Sequence, residues 1–458
     1  MKHYRKFFGL FDQGKWLEPA YIATDEQGKI TYLSDQPREN QEVEEEINGW
    51  VIPGFQNAHS HAFQYAMAGL TERHLTKDDF WSWREKMYQL ALTLDPDQME
   101  AVATMLYAEM LRHGYTEVAE FHYLHHDQSG KPYHHLAEMG ERLVAAAGKA
   151  GIRITLVPVF YRRGGFGMPP TEGQKRFICA ELDDYIRLIE ASQKVVEKAS
   201  WASLGVGVHS LRAVTPEDVI RTVQELPDHL PFHLHISEQK KEVADALAFY
   251  NQRPVEWLLD HVEISERFHL VHATHLTSGE VKGIASSKAN VVLCPSTEGN
   301  LGDGRFSLQE FQQAGGNWSI GTDSHIGLSP MEELRILDYG QRIYAHQRNI
   351  FHSSDEPDSG VYGLNKQWKA GRMAMGKSSQ TSFALGEAFD AVVIDGTQPL
   401  IATSSSENRI STFIYAGDPS FIKGTIVGGQ WQVKEGIHPE GGKITADFIS
   451  VLRELKVR

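Results

Sequence analysis

Three observations in this 458-residue sequence predict a (β/α)8 barrel preceded by a small β domain. Eight short apolar runs recur along the chain, several of them separated by helical patterns, and that alternation builds a closed parallel sheet. Five of the runs end in ionisable or ligand-type residues, and such a barrel gathers its reactive side chains at the C-terminal ends of its strands. The length fits one barrel of roughly 250 to 330 residues with a smaller domain beside it.

The elements follow in order. Tyr21–Thr24 and Lys29–Leu33 flank Asp25-Glu-Gln-Gly28, a hairpin turn signal, so residues 16–52 read as a half-exposed β segment. The first barrel strand opens at Val51 and runs to His59-Ser-His61. Asp79-Phe-Trp-Ser-Trp-Arg84 comes next, then an apolar-periodic helix from about Asp97 to His113. Further strands are expected at Thr116–Phe121, Ile152–Phe160, Leu204–His209, Phe232–Ile236, Phe268–His272, Val291–Cys294 and Trp318–Gly321, with helices at Glu181–Lys198, Pro216–Leu226 and Glu242–Leu259.

Composition excludes several classes. Hydrophobic residues make up 41% and charged residues 23%, which is globular rather than disordered. A net charge of -15 repels phosphate backbones and anionic lipid, so neither nucleic acid nor membrane is an expected partner. An anionic substrate would have to be met by a local cluster of cations. Cys179 and Cys294 are too few and too far apart for a disulfide framework, which fits a reducing cytoplasm. Gly9 and Asp12 break the N-terminal apolar run before a signal-peptide core is complete, and no apolar run is long enough to span a membrane. A homodimer is the default expectation for oligomeric state.

The strand ends carry the chemistry. Side chains on a strand alternate with period two, so His59 and His61 project to one face and supply half a metal site. The fourth strand ends in His209-Ser-Leu-Arg212, the fifth in His233-Leu-His235-Ile-Ser-Glu238, the sixth in His272 and the eighth in Asp323-Ser-His325. Two motifs are set aside. Gly371-Arg-Met-Ala-Met-Gly-Lys-Ser378 has P-loop spacing but follows a helical stretch and closes it at Gly376, where a phosphate loop opens a helix after a strand. His122, His125, His126, His134 and His135 are read as solvated loop residues beside Asp127 and Gly130.

With these pieces the chain resembles the metal-dependent amidohydrolase superfamily over nearly its whole length. The matching segments are Pro53-Gly-Phe-Gln-Asn-Ala-His-Ser-His61, His235-Ile-Ser-Glu238, Leu270-Val-His272 and Gly321-Thr-Asp323. The resemblance implies that His59, His61, His235 and Asp323 ligate the metal. It also implies a small β-sandwich built from both chain ends, with Ala388–Asp395 as a return strand, and hence a division into 1–52, a barrel at 53–380, and 381–458 with a closing helix. Members with two metals usually carry a bridging lysine on the fourth strand. Gly205–Arg212 has none, so one divalent ion is expected, with zinc first and iron(II) or manganese compatible with the same donors.

The expected chemistry is hydrolytic. A divalent metal lowers the pKa of a bound water from about 15.7 toward about 7, which supplies hydroxide to attack a C=N carbon. Asp323 is the candidate acceptor of the water proton, Glu238 the candidate donor to the leaving nitrogen, and His272 the group that polarises the water. Arg84 and Arg212 are guanidinium forks suited to carboxylates, so the expected substrate is a small, amino-acid-derived amidine with two carboxylates. Within that superfamily the chain resembles a deaminase branch, and the resemblance implies that Gln64 contacts the amidine end and that Arg84, Tyr123, His209 and Arg212 hold the dicarboxylate portion. The alternatives are a ring deaminase, for guanine or adenosylhomocysteine, which would favour a neutral aromatic pocket, and a non-catalytic scaffold, which would lack ligands this chain keeps.

Overall fold

The structure, a computed structural model, describes residues 3–72, 80–377 and 381–456, without the side chains of Phe80 and Trp81. Strands β1 to β5 (His3–Asp12, Lys15–Leu17, Ala20–Thr24, Ile30–Ser34, Glu45–Pro53) belong to the small domain. Strands β6 to β14 form the barrel sheet: Phe55–Ser60, Tyr115–His122, Arg153–Phe160, Ala202–Leu204, Val206–Ser210, Phe232–Ile236, Phe268–His272, Asn290–Leu293 and Asn317–Ile320. Strands β15 to β17 (Ala391–Asp395, Ile422–Val427, Gln430–Lys434) return to the small domain.

Among the described residues the barrel sheet runs β14-β13-β12-β11-β10-β8-β7-β6, with every pairing parallel and β9 a short addition on β8. The expected (β/α)8 architecture is therefore present. Closure comes at one seam. Ser60 bridges Asp323, and the N–H groups of Thr322 and Asp323 donate to the His59 carbonyl at 3.1 and 3.0 Å. At the opposite end the Ser359–Ala374 helix lies across the strand starts, where Gln367, Ala370 and Ala374 bond to Gln56, Asn290 and His233.

The strands from both chain ends form one mixed sheet, ordered β17-β16-β15-β5-β1-β3-β4. Its seam is the antiparallel pair of β15 and β5, in register from Ala391 opposite Pro53 to Asp395 opposite Gly49. Period-two alternation gives the sheet two buried faces. Val51 and Val393 point into the small domain's own core, while Ile52, Val392 and Ile394 join the core shared with the barrel. The Pro96–Arg112 helix underlies that junction, started by Asp95, whose side chain accepts the Gln98 N–H at 2.8 Å, with Pro96 in its first turn. The closing helix, Gly441–Leu455, packs along it. No helix among the described residues is long and apolar enough to cross a membrane.

Three expectations are corrected. Val51-Ile-Pro53 lies in the small sheet, and the first barrel strand starts at Phe55. Gly54 marks the change of sheet, because a β-carbon there would collide with the Thr116 side chain. The single helix expected over Glu242–Leu259 is two, Lys240–Tyr250 and Pro254–His261. Asn251 takes φ +56° as the first ends, and Pro254, which cannot donate an N–H, opens the second. The histidine-rich loop is only partly solvated: His122 and His125 are buried and His126 half-buried, with His125 bonded to the Val159 carbonyl and His126 to that of Ile178. His134 is exposed, and His135 pairs with Glu141 at 3.2 Å.

Candidate metal centre and substrate cavity

The four expected ligands converge where the barrel closes. His59 is the penultimate residue of β6, His61 lies two residues further on, His235 lies in β11, and Asp323 follows β14 at φ +47°. The Nε2 atom of His59 is 3.1 Å from the Nε2 atoms of both His61 and His235. Asp323 Oδ1 is 3.2 Å from His61 Nε2 and 3.5 Å from His59 Nε2. All four are buried, and their ligand atoms lie within 4.8 Å of one another.

The donor set fits a divalent cation. His61 donates from Nδ1 to the Phe121 carbonyl at 2.9 Å, and His235 from Nδ1 to the His209 carbonyl at 3.0 Å. Those bonds fix the tautomer, so each Nε2 presents a lone pair inward, as second-shell carbonyls do for metal-binding imidazoles. His59 Nε2 faces both lone pairs and can donate to only one of them. A cation removes this conflict, and tetrahedral nitrogens at about 2.0–2.1 Å from zinc would stand about 3.3 Å apart. Burial pushes the His59 pKa down to about 3, with His61 adding to it, and burial likewise holds His235 well below its ordinary value. Burial alone would raise Asp323, but the close approach of the His59 and His61 rings outweighs it and holds that carboxyl well below the usual range. Neutral imidazoles and an ionised carboxylate are the ligand forms.

The proton-handling candidates sit beside this group. His272 Nε2 is 3.8 Å from Glu238 Oε1 and 3.8 Å from Asp323 Oδ2. Burial opposes charge on His272, but Glu238, the Glu298 hydrogen bond and Asp323 together raise its pKa to about 10. Burial raises Glu238 against the pull of His272 and Arg212. A shift in that direction favours the proton-bearing form, which is the form that can donate.

A narrow cavity opens onto the centre. Every expected substrate residue lines it: Gln64, Arg84, Tyr123, His209 and Arg212, together with His61, His235, Glu238, His272 and Asp323. His59 lies beneath its floor, fully buried. Gln64 Nε2 donates to the Tyr123 hydroxyl at 2.8 Å, leaving its buried Oε1 with no protein partner. Arg84 comes from the Phe80–Thr93 helix, its guanidinium 5.3 Å from the Tyr88 ring centre. Asp79 of its motif falls outside the described residues.

Sequence reasoning missed several contributors. Trp83, Met87, Tyr88, Tyr161 and Phe177 also line the cavity, and the Tyr161 ring lies 4.5 Å from that of His209. Tyr161 immediately follows β8, so the strand-end rule had a signal for it; Tyr88, on a helix, had none. Glu120 accepts the Ser60 hydroxyl and the Ala62 N–H, both at 2.6 Å, and so braces His61 from either side. Glu298 accepts His272 Nδ1–H at 3.2 Å and the Cys294 N–H at 2.8 Å, which ties up the other group of potential ligands, His272, Cys294 and Glu298. Gly376 takes φ +68° at the end of the Ser359–Ala374 helix, in keeping with a helix closure rather than a phosphate loop; Ser378 lies outside the described residues.

The amidohydrolase family profile matches residues 50–360. The chain is 43% identical over 422 residues, 92% of each chain, to formimidoylglutamate deiminase of Pseudomonas aeruginosa. A 5-methylthioadenosine/S-adenosylhomocysteine deaminase of Shouchella clausii is 24% identical over 84% of this chain and 82% of its own. The crystal structure of an amidohydrolase from Brucella melitensis superposes with a TM-score of 0.93 at 40% identity, covering 99% of this chain and 100% of that one.

The centre predicts a metal stoichiometry. Elemental analysis should find one divalent ion per chain, and His235→Ala should retain a small fraction of it. Two ions per chain, or undiminished metal in that variant, contradicts the four-ligand assignment.

Proposed function

The chain belongs to the amidohydrolase family, and from that membership and its relationship to formimidoylglutamate deiminase we infer that it hydrolyses N-formimino-L-glutamate to N-formyl-L-glutamate and ammonia. The observation that carries this reading is the 43% identity over 92% of both chains. The adenosine-type deaminases stand much further away, at 24% for the relative given above. We place the reaction in histidine degradation. Two free, buried cysteines support a cytoplasmic setting.

For the metal we propose zinc, held by His59, His61, His235 and Asp323, on the strength of three imidazoles and one carboxylate. When bound, the ion acts as a Lewis acid that makes a water nucleophilic at neutral pH.

The remaining work falls to the chain's own groups. Arg84 and Arg212 hold the two substrate carboxylates, with His209 and Tyr123 beside them, and Gln64 offers its unpartnered Oε1 to a formimino N–H. This places the formimino carbon over the ligand group. Asp323 Oδ2, 3.8 Å from His272, takes a proton from the attacking water, while His272 donates a hydrogen bond to the oxygen that becomes the formyl oxygen. Glu238 gives its proton to the formimino nitrogen as the oxygen adds and then recovers the remaining hydroxyl proton, while the proton held by Asp323 passes to the same nitrogen; the C–N bond breaks as the formyl C=O forms, and ammonia leaves. Deep burial excludes competing solvent from Glu238 and His272.

Two measurements follow. Glu238→Gln should keep its metal and lose about 10²-fold or more in kcat, the scale of general acid–base catalysis; metal retained with near-normal turnover removes Glu238 from the mechanism. Each charge-assisted hydrogen bond contributes about 1.5–3 kcal/mol, so Arg84→Ala or Arg212→Ala should lower kcat/KM for N-formimino-L-glutamate by roughly 10- to 150-fold with metal intact. Arginine-to-lysine variants should recover part of that, since an ammonium lacks the planar fork. Unchanged kcat/KM in both alanine variants contradicts carboxylate recognition by this pair.

A further inference from the structure

Glu242 has no place in the chemistry above, yet its carboxylate is buried beside the site, with 1% of the residue exposed. It is the third residue of the Lys240–Tyr250 helix, whose N-cap is Gln239. A glutamate at that position ordinarily reaches back to the N–H of the capping residue. Here it reaches further. Oε1 accepts the Ser237 N–H at 3.2 Å and Oε2 the Glu238 N–H at 3.0 Å. Ser237 sits at φ +52°, in the left-handed region that side chains with a β-carbon disfavour. The same Oε2 lies 3.4 Å from Nη1 of Arg212, whose guanidinium is buried and whose Nη2 is 3.9 Å from Glu238 Oε2.

We propose that Glu242 is a positioning residue that fixes Glu238 and Arg212 relative to one another. Its two charge-assisted bonds hold the Ser237–Glu238 turn in a conformation the backbone would otherwise leave, and so aim the Glu238 carboxyl at the ligand group. Its remaining contact supplies the buried counter-charge that keeps Arg212 aligned before substrate arrives. One carboxylate thereby sets the spacing between the proton donor and a substrate-carboxylate fork. The proposal rests on the reading of Glu238 and Arg212 given above.

Glu242→Gln keeps the shape, removes the charge and leaves one accepting oxygen in place of two. With metal-loaded enzyme and N-formimino-L-glutamate, kcat should fall about 10- to 100-fold and KM rise severalfold at unchanged metal content. Adding Ser237→Gly, which adopts φ +52° without strain, should recover part of kcat and none of KM, because Arg212 still lacks its anion. A purely structural carboxylate would lower Tm and the active fraction, leave KM alone and show no selective recovery. Normal kcat and KM in folded Glu242→Gln overturns the proposal, as does failure of both variants to fold, which would make Glu242 a folding requirement. Wild-type protein inactive on this substrate overturns the functional reading together with the proposal; active wild type with an unaffected variant overturns the proposal alone.

Discussion

Everything at this site depends on how the barrel closes. The seam between β6 and the segment after β14 is held by N–H groups of Thr322 and Asp323 donating to the carbonyl of His59. The side chains of His59 and Asp323 are two of the four convergent groups that could hold a metal. The backbone bonds that shut the sheet also bring the side chains of His59 and Asp323 to 3.5 Å. Gly321 permits this approach, because a β-carbon there would press on His59. A metal binding these four groups would hold the seam together and stabilise the folded chain by mass action.

Around that seam the buried charges are arranged in pairs that hold one another. Glu120 braces the turn carrying His61, Glu298 orients His272, and Glu242 ties the turn carrying Glu238 to Arg212. Each of these glutamates is buried and engaged by at least two donors, so its desolvation is offset by charge-assisted bonds. The chain as a whole carries a charge of -15, so the proposed dianionic substrate would depend on the two guanidinium groups that line one narrow cavity.

The ligand-bearing strand ends were legible in the sequence because strand periodicity and the strand-end rule are local. His59 and His61 needed only a period of two, and Arg212, Glu238, His272 and Asp323 each close a recognisable apolar run. What stayed hidden depends on contacts between distant segments. Val51 and Phe55 belong to one apolar stretch, and only the close passage of Thr116 beside Gly54 shows that the chain changes sheets there. His125 looked like a solvated loop residue until the carbonyl of Val159, from the next strand, was seen to accept its bond. Glu242 reads in sequence as an ordinary first-turn glutamate. Its reach past the capping position to Ser237 and Glu238 is a fact of three dimensions.

We propose that this centre serves a small amidine bearing two carboxylates. The most direct test is ammonia release by the metal-loaded wild-type protein from N-formimino-L-glutamate, formiminoglycine and S-adenosylhomocysteine, compared as kcat/KM under one set of conditions. Release should be efficient from the first, about tenfold or more lower on the second for want of the side-chain carboxylate, and slight from the third. Equal rates on the first two, or a preference for the nucleoside, would contradict it.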